Sequence, residues 1–301
     1  MGLDVSIVRG GTSRAVFVNM SDLPDTGRDE LCLQLIGSPD PVAVDGLGGG
    51  VSSNSKVMFV GPSDSPEVDL DSLFAQVSPD TAVIDWSGNC GNISAGIAAY
   101  ALSAGLVERL PVRVRNLNTG ALFELSGTDP RERIDVRFRR PGGEQTGEIF
   151  PRGRVCHVDG LEATLIDVTN PVVIVRAADV TEPSLERLER LRVAAGEAMG
   201  LAPSPAIPRV ALVEPADGRL RVRMTSMGRF HHALPATGIL ALGAAVALGG
   251  TVIDLPAQPE VVLEHPRGTA TVSALVDGDQ LEWVALARTA RVIMTGRVHL
   301  P

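Results

Sequence analysis

Aromatic residues are scarce in this chain: they make up 3% of its 301 residues, with one tyrosine and two tryptophans. The hydrophobic cores must therefore be built mainly from valine, leucine, isoleucine and alanine, and a chain of this length can form two domains. Cysteines are also few. Cys32, Cys90 and Cys156 are too few for a disulfide framework, which indicates a reducing compartment.

Basic charge is lacking as well. The formal net charge is −9, with no cluster of lysine and arginine, which argues against nucleic acid and anionic membranes as partners. A small anionic ligand remains compatible, because a few local cations and backbone amides can bind one. No basic segment followed by an apolar one precedes the strand-like run 3–8, so we predict no signal peptide and a cytoplasmic location. The apolar stretch 233–252 contains Pro235 and several glycines, which favours a buried helix over a membrane span.

The two halves of the chain repeat one pattern. Residues 3–18 and 161–175 each contain an apolar run, a turn of small or polar residues and a second apolar run, which is typical of a β-hairpin. Residues 93–107 and 238–252 are each rich in small apolar residues and end near glycine, as expected of a helix packed closely against a sheet. The starts of these two helices are 145 positions apart, so the sequence predicts two related α+β domains.

The Pro/Gly-rich stretch 141–153 separates these halves, so we predict domains at 1–150 and 151–301, with strand exchange near the termini as one option. Alternating apolar residues predict further strands at 133–139 and 219–224. Leu185, Leu188, Leu191 and Ala195 would share one face of an amphipathic surface helix over 183–199.

The strongest local signal is DWSGNCGNISAG, residues 85–96. An apolar strand at 81–84 runs into a Gly/Asn turn, and the first buried helix begins within a few residues of Cys90. A thiol at a helix N-terminus lies among unpaired N–H groups that favour thiolate, the form that acts as a base or nucleophile. Asn92 or Ser94 is expected to cap this helix. A small buried cysteine in a turn is the structural alternative.

A second signal is DGLGGGVSSNSKVMFV, residues 45–60, in which Lys56 opens a strand after glycines and hydroxyl residues. A nucleotide-binding P-loop would instead open a helix at its lysine, so this segment is not one. Its amides and hydroxyls suit carboxylates, and a desolvated lysine can move protons. A solvated lysine at a strand start is the alternative. In RGGTSR, residues 9–14, two arginines flank a hairpin turn and can bind carboxylates bidentately. A solvated hairpin turn is the alternative.

The segment TSMGRFHH, residues 225–232, precedes the second buried helix, as the Cys90 loop precedes the first. Pro235 stands 145 positions after Cys90, so the second half has no thiol there. His231 and His232 would point apart in extended chain, and no set of side chains at ligand spacing predicts a metal site. Neither a nucleophile elbow nor a dinucleotide fingerprint is present.

Together these motifs resemble the PrpF-type 2-methylaconitate cis-trans isomerase family, which includes methylitaconate delta-isomerase and 4-oxalomesaconate tautomerase. In chain order they are RGGTSR (9–14), DGLGGG and SNSK (45–56), GNCGNISAG (88–96), PGGEQTGEIFPRG (141–153), DVTNPVV (167–173) and SMG with HHALPATG (226–238). The resemblance implies two pseudo-symmetric domains of diaminopimelate-epimerase-like fold, each a curved sheet or barrel around a central helix. It places the substrate where both helix N-termini point inward.

The resemblance also implies an isomerase or tautomerase that works without cofactor or metal. It would carry out a 1,3-proton shift on a small unsaturated di- or tricarboxylate such as 2-methylaconitate, aconitate or oxalomesaconate. The catalytic cysteine and lysine of the family map onto Cys90 and Lys56. The residues expected to contact substrate carboxylates are Thr12, Ser13, Arg14, Asn54, Ser55, Gly91, Asn92, Ser226, Met227, Gly228 and His231.

The sequence departs from the family pattern at two places. Arg14-Ala15 stands where Lys-Gly is expected, and Asn54 stands where threonine is expected, which affects substrate identity more than chemistry. Two alternatives stay open: a non-catalytic protein that binds an aconitase-like dehydratase, and an amino-acid epimerase on the same fold. The epimerase would need a second cysteine across the cleft. The sequence leaves the oligomeric state open, with a homodimer as one option and the dehydratase as a functional partner of the enzyme.

Overall fold

Strands and a few helices follow one another in the same order in both halves of the chain, in a computed structural model that describes residues 2–300. The elements of the first half are β1 (Gly2–Gly10), β2 (Ser13–Asn19), α1 (Arg28–Ile36), β3 (Lys56–Pro62), β4 (Leu70–Val77), β5 (Ile84–Asp85), α2 (Gly91–Ser103), β6 (Val112–Asn116), β7 (Leu122–Ser126) and β8 (Ile134–Arg139). Those of the second half are β9 (Cys156–Val158), β10 (Leu161–Val168), β11 (Asn170–Arg176), α3 (Leu185–Ala198), β12 (Arg209–Ala216), β13 (Arg219–Ser226), β14 (Arg229–Phe230), α4 (Ala236–Leu248), β15 (Glu260–His265), β16 (Gly268–Asp277), β17 (Gln280–Arg288) and β18 (Ala290–His299).

These elements form two compact units. The first comprises the residues up to Val136 together with those from Ala287 onwards, and the second is Arg137–Leu286. This division differs from the predicted boundaries, 1–150 and 151–301, and agrees with the predicted option of strand exchange near the termini. The physical reason is strand pairing: β18 lies antiparallel to β1 along all of β1, so the C-terminal strand returns to the first unit. The stretch 141–153 belongs to the second unit, where the backbone N–H of Asp167 in β10 donates to Ile149 O at 2.9 Å.

The strand pairing repeats from one unit to the other. In the first unit neighbouring strands run β18, β1, β2, β3, β4, β6, β7, with parallel pairs at β2/β3 and β4/β6 and β5 beside β4. In the second unit they run β9, β10, β11, β12, β13, β15, β16, β17, with parallel pairs at β11/β12 and β13/β15 and β14 beside β13. The predicted pair of related α+β domains is confirmed.

A buried helix lies at the centre of each unit. Every residue of Gly91–Ala101 in α2 and of Ala236–Val246 in α4 is buried, which is the pattern of a helix enclosed in a core rather than lying on a surface. α2 packs on β1, β2 and β18, and α4 packs on β10, β11, β15 and β16. The two helices start 145 positions apart, as predicted, each two residues before its expected start. Within residues 2–300 no helix is long and apolar enough to cross a membrane.

The other helices cover the outer faces of the sheets. In α3, Leu188, Leu191 and Ala195 are buried, and the Ser184 hydroxyl caps the helix by accepting from Arg187 N, so the predicted amphipathic helix is confirmed. Leu185, predicted to share this face, is exposed in the first turn. The strand predicted at 81–84 is wrong in extent. Only Ile84–Asp85 pairs, opposite the end of β4, and the chain before it is held by short-range turn bonds instead.

Candidate active site

Cys90 is the N-cap residue of α2, with extended backbone at φ −120° and ψ 95°, and it is half-buried. Asn89 fixes this turn, because its Oδ1 accepts from Cys90 N at 2.7 Å and from Ser94 Oγ at 3.2 Å. The expected capping by Asn92 or Ser94 is wrong: both lie inside the helix, and no side chain caps it. The free N–H groups of the first turn are therefore available to another acceptor.

The other two thiols lie in apolar surroundings. Burial, followed by the nearby charge of Asp29, raises the pKa of Cys32 to about 12, and its side chain is completely buried in the core of the first unit. Burial also raises the pKa of Cys156 at the start of β9, although Arg152 opposes the rise. Neither thiol is a ready thiolate, so Cys90 is the cysteine with the setting of a functional group.

Lys56 is the first residue of β3, as predicted, and it is only 5% exposed. Its Nζ donates to Ser52 O at 2.6 Å and to Gln76 Oε1, and it lies 5.7 Å from the centre of the Phe74 ring. The alternative of a solvated surface lysine is therefore wrong. The ammonium group is desolvated and held in one position.

Strand register brings Lys56 and Cys90 to one end of the sheet of the first unit. β3 runs parallel to β2 with Val57 beside Val16, so Lys56 lies close to the β1–β2 turn. That turn contacts the start of α2, because the Thr12 hydroxyl accepts from Asn92 Nδ2 at 3.1 Å. On the other side of Lys56, Gln76 pairs with Asp85, which precedes Cys90 by five residues.

The predicted carboxylate-binding residues of the first unit surround these positions. The Arg14 side chain donates from Nη2 to Gly48 O at 3.0 Å, and Arg14 N donates to Ser53 O at 2.9 Å, so Arg14 secures the glycine loop before Lys56. The buried Ser55 hydroxyl donates to Val51 O at 3.0 Å, and Asn54 N donates to the same carbonyl at 2.9 Å. Ser13 is buried where β2 begins, and Gly91 and Asn92 are buried in the first turn of α2.

The predicted site residues of the second unit lie before α4. Ser226 ends β13, and Met227 and Gly228 form the turn into β14 with φ of 52° and 69°. His231 Nδ1 accepts from Ala233 N at 3.1 Å. The expectation that His231 and His232 point apart is wrong: their rings stack with centroids 4.6 Å apart, because the chain bends after β14 instead of staying extended.

Pro235 occupies the N-cap of α4, which is the position that Cys90 holds in α2, and no side chain caps α4 either. Arg209 begins β12 as Lys56 begins β3, and its Nη1 donates to Thr237 Oγ1 at 2.6 Å in the first turn of α4. The second unit thus repeats the framework of the first, with a cation, Arg209, at the position of Lys56 and with proline instead of a thiol at the position of Cys90. Among residues 2–300 no group of three or more histidine, cysteine and acidic side chains could hold a metal ion.

Sequence reasoning missed two side chains at this site, Gln76 and Arg288. Gln76 contacts Lys56 because antiparallel register places them opposite each other in β4 and β3, and register cannot be read from the sequence alone. Arg288 Nε donates to Asn92 Oδ1 at 2.9 Å, although the two residues are 196 positions apart. No local pattern in the sequence signals that contact.

Comparison with known proteins agrees with this architecture. The family model for PrpF protein matches residues 1–301. The 2-methyl-aconitate isomerase of Shewanella oneidensis is 34% identical over 98% of this chain and 96% of that protein. The alignment runs over 379 residues, more than this chain contains, so that relative carries internal segments that this chain lacks.

Solved structures give the same result. The crystal structure of methylitaconate-delta-isomerase has 30% sequence identity and a TM-score of 0.80, covering 100% of this chain and 96% of that chain. A hydroxyproline epimerase from Agrobacterium vitis, at 15% identity, shares the fold with a TM-score of 0.63 over 99% of this chain and 92% of that chain. By its sequence along its full length, and by its epimerase-like fold, this chain belongs to the PrpF family.

Proposed function

We propose that this chain is an isomerase that carries out a 1,3-proton shift on a small unsaturated di- or tricarboxylate. The observation that carries the proposal is the location of Cys90, at the uncapped N-terminus of α2, and of the buried Lys56 at one end of the sheet of the first unit. The relatives support the substrate class, since 2-methylaconitate and methylitaconate are both small unsaturated dicarboxylates or tricarboxylates. The closely related acids aconitate and oxalomesaconate belong to the same class.

The reaction needs one base, one acid and no net change of oxidation state. One of Cys90 and Lys56 removes an allylic proton next to a carboxylate, and the electron pair left behind delocalises into a dienolate. The other group, or the same one, returns a proton to the carbon at the far end of the three-atom system. In a cis-trans isomerisation the intermediate instead rotates about the former double bond, and the proton is returned to the carbon that lost it.

The negative charge of the dienolate is what the protein must stabilise. The free N–H groups at the start of α2 present the positive end of the helix dipole, and they are fixed before substrate binds, so stabilising the intermediate requires little reorganisation. The substrate contacts that we propose in the first unit are Thr12, Ser13, Arg14, Asn54, Ser55, Gly91 and Asn92. Those in the second unit are Ser226, Met227, Gly228 and His231.

The two alternative functions are less well supported. An amino-acid epimerase of this fold would need a second thiol, and Pro235 stands at the position equivalent to Cys90. A purely binding protein would not require a buried lysine held by two acceptors in the same unit as a helix-terminal thiol. An aconitase-like dehydratase as functional partner, a homodimeric assembly and a cytoplasmic location remain predictions that accompany the proposal.

Proton NMR of the purified protein with a panel of acids tests this function. The panel is cis-aconitate, trans-aconitate, 2-methylaconitate, methylitaconate and oxalomesaconate. We expect conversion of at least one acid by the wild type and by the control Cys156→Ala. Cys90→Ala and Lys56→Met should each be slower by about 100-fold or more, as for loss of a general acid or base. Failure of the wild type to convert any acid in the panel would contradict the proposal.

A further inference from the structure

The segment between β17 and β18 is fastened to the β1–β2 turn of the first unit. Gly11 N donates to Thr289 O at 2.9 Å. Arg9 Nη1 donates to the same carbonyl at 3.0 Å and to Thr289 Oγ1 at 2.9 Å. Arg9 of the RGGTSR motif is therefore occupied in fixing the backbone of Thr289. The residue before it, Arg288, is held in position as a consequence.

The Arg288 side chain reaches the start of α2 and is bound there by Asn92. Arg288 Nε donates to Asn92 Oδ1 at 2.9 Å, and Nη1 donates to Ala287 O at 3.0 Å. The other end of Asn92 is fixed too, because its Nδ2 donates to Thr12 Oγ1. Gly11 provides the space: a Cβ there would lie 2.5 Å from Asn92 Oδ1 and 2.9 Å from Arg288 Cδ.

Arg288 has no anionic partner in the described part of the chain, and its Nη2 group has no acceptor there. By contrast, Arg115 forms two hydrogen bonds of 2.8 Å with the carboxylate of Asp71. Burial lowers the pKa of Arg288 to about 10, and the nearby Cys90 acts in the opposite direction. A partly desolvated guanidinium beside the thiol thus retains donors that nothing in residues 2–300 satisfies.

We propose that Arg288 binds a substrate carboxylate at the N-terminus of α2, beside Cys90, with Asn92 and Thr289 holding it in place. The inference rests on the proposed function and adds a residue to it. A guanidinium suits this task because its planar donors match a carboxylate bidentately. When the allylic proton leaves, the negative charge spreads onto that carboxylate, so the contact strengthens in the transition state and lowers the barrier.

Substitution of Arg288 tests the inference against a matched control. Arg288→Met removes the charge and keeps an unbranched apolar stem, and Arg288→Lys keeps the charge without the planar fork. Arg291→Met removes one exposed arginine of β18 and serves as the control. On the acid that the wild type converts, kcat/KM should fall about 10- to 100-fold in Arg288→Met, the range for losing a hydrogen-bonded charge. Arg288→Lys should lie between Arg288→Met and wild type, and Arg291→Met should match wild type.

Two further readouts separate substrate binding from a structural role. Tricarballylate, a saturated tricarboxylate that cannot be isomerised, should bind wild type and Arg291→Met and bind Arg288→Met at least about tenfold more weakly by calorimetry. The rate at which the anion iodoacetate alkylates Cys90 at a fixed pH should fall in Arg288→Met, because a nearby cation that attracts it is lost.

The inference is overturned if folded Arg288→Met or Arg288→Lys retains the kcat/KM of Arg291→Met, or if tricarballylate binds Arg288→Met as tightly as wild type. An inactive wild type would instead count against the proposed function. In that case tricarballylate binding still decides the role of Arg288, and the absence of binding to wild type would also overturn the inference.

Discussion

At the scale of single residues, two neutral acceptors hold the ammonium group of Lys56: the carbonyl of Ser52 and the side-chain amide of Gln76. The amide of Gln76 is itself oriented, since its Nε2 donates to Ser55 O at 3.0 Å and to Ser52 O at 3.2 Å. Gln76 is neutral, so it favours the charged form of the lysine less than a carboxylate would. A carboxylate in the same place would favour the charged form and hold the proton.

Gln76→Glu is therefore expected to raise the pKa of Lys56 and to move the corresponding limb of the pH–rate profile towards higher pH. The profile of kcat/KM from pH 5 to pH 10 measures this shift. Gln280→Glu, an exposed position at the start of β17, introduces the same charge and should leave the profile unchanged. Equal profiles for Gln76→Glu and wild type would show that Lys56 does not titrate in the reaction.

A second prediction at this scale concerns Glu144 in the second unit. Burial raises the pKa of Glu144 above its ordinary value of 4.5, and the neighbouring Asp167, whose pKa burial also raises, adds to that rise. The folded state therefore holds its proton more tightly than the unfolded state does. The stability that this contributes is present below pH 4.5 and is lost as pH rises through the folded-state pKa.

Glu144→Gln cannot ionise, so its free energy of unfolding should fall less than that of wild type between pH 4 and pH 7.5. Urea unfolding at the two pH values measures the difference. Glu148→Gln is the control, because Glu148 is exposed in the same loop. If Glu144→Gln and wild type lose stability in parallel, the buried carboxyl is not the cause.

At the scale of elements, the helices differ in how they begin. The Ser184 hydroxyl caps the surface helix α3, whereas α1, which begins after Gly27, and the central helices α2 and α4 have no side-chain cap among the described residues. Capping is worth roughly 0.5–2 kcal/mol, so the two central helices forgo stability at their N-termini. At α2 and α4, the absence of a cap is expected if the free N–H groups at these helix N-termini bind a ligand.

Cys90→Ser is expected to raise stability and to lower activity. Serine is a preferred N-cap residue, and Cys90 already has the extended backbone that a cap requires. We expect the free energy of unfolding to rise by about 0.5–1 kcal/mol, while turnover falls by at least about 100-fold because an alcohol does not replace a thiolate at neutral pH. Urea unfolding and NMR turnover measure the two effects. A serine variant that is less stable or still active would contradict this account of α2.

At the scale of the whole molecule, the repeat was predictable because each hairpin and each central helix has a strong local pattern. The helix starts at Gly91 and Ala236 keep the predicted spacing. The sequence allowed strand exchange near the termini but not the exact domain boundary, since the pairing of β18 with β1 joins opposite ends of the chain. Cys90 and Lys56 could be named because each lies in a local sequence motif. Arg288 could not, because its contact with Asn92 in α2 joins residues 196 positions apart in the chain.

The most direct test of the central claim is deuterium incorporation during turnover in deuterated buffer, followed by NMR at the allylic carbons. The account predicts that wild type and Cys156→Ala place solvent deuterium at the carbon that receives the proton, at a rate that tracks isomer conversion. In Cys90→Ala both exchange and conversion should be slower by about 100-fold or more. Conversion without any deuterium in product or substrate would mean that the proton never exchanges with solvent. Full exchange by Cys90→Ala would contradict the role of Cys90.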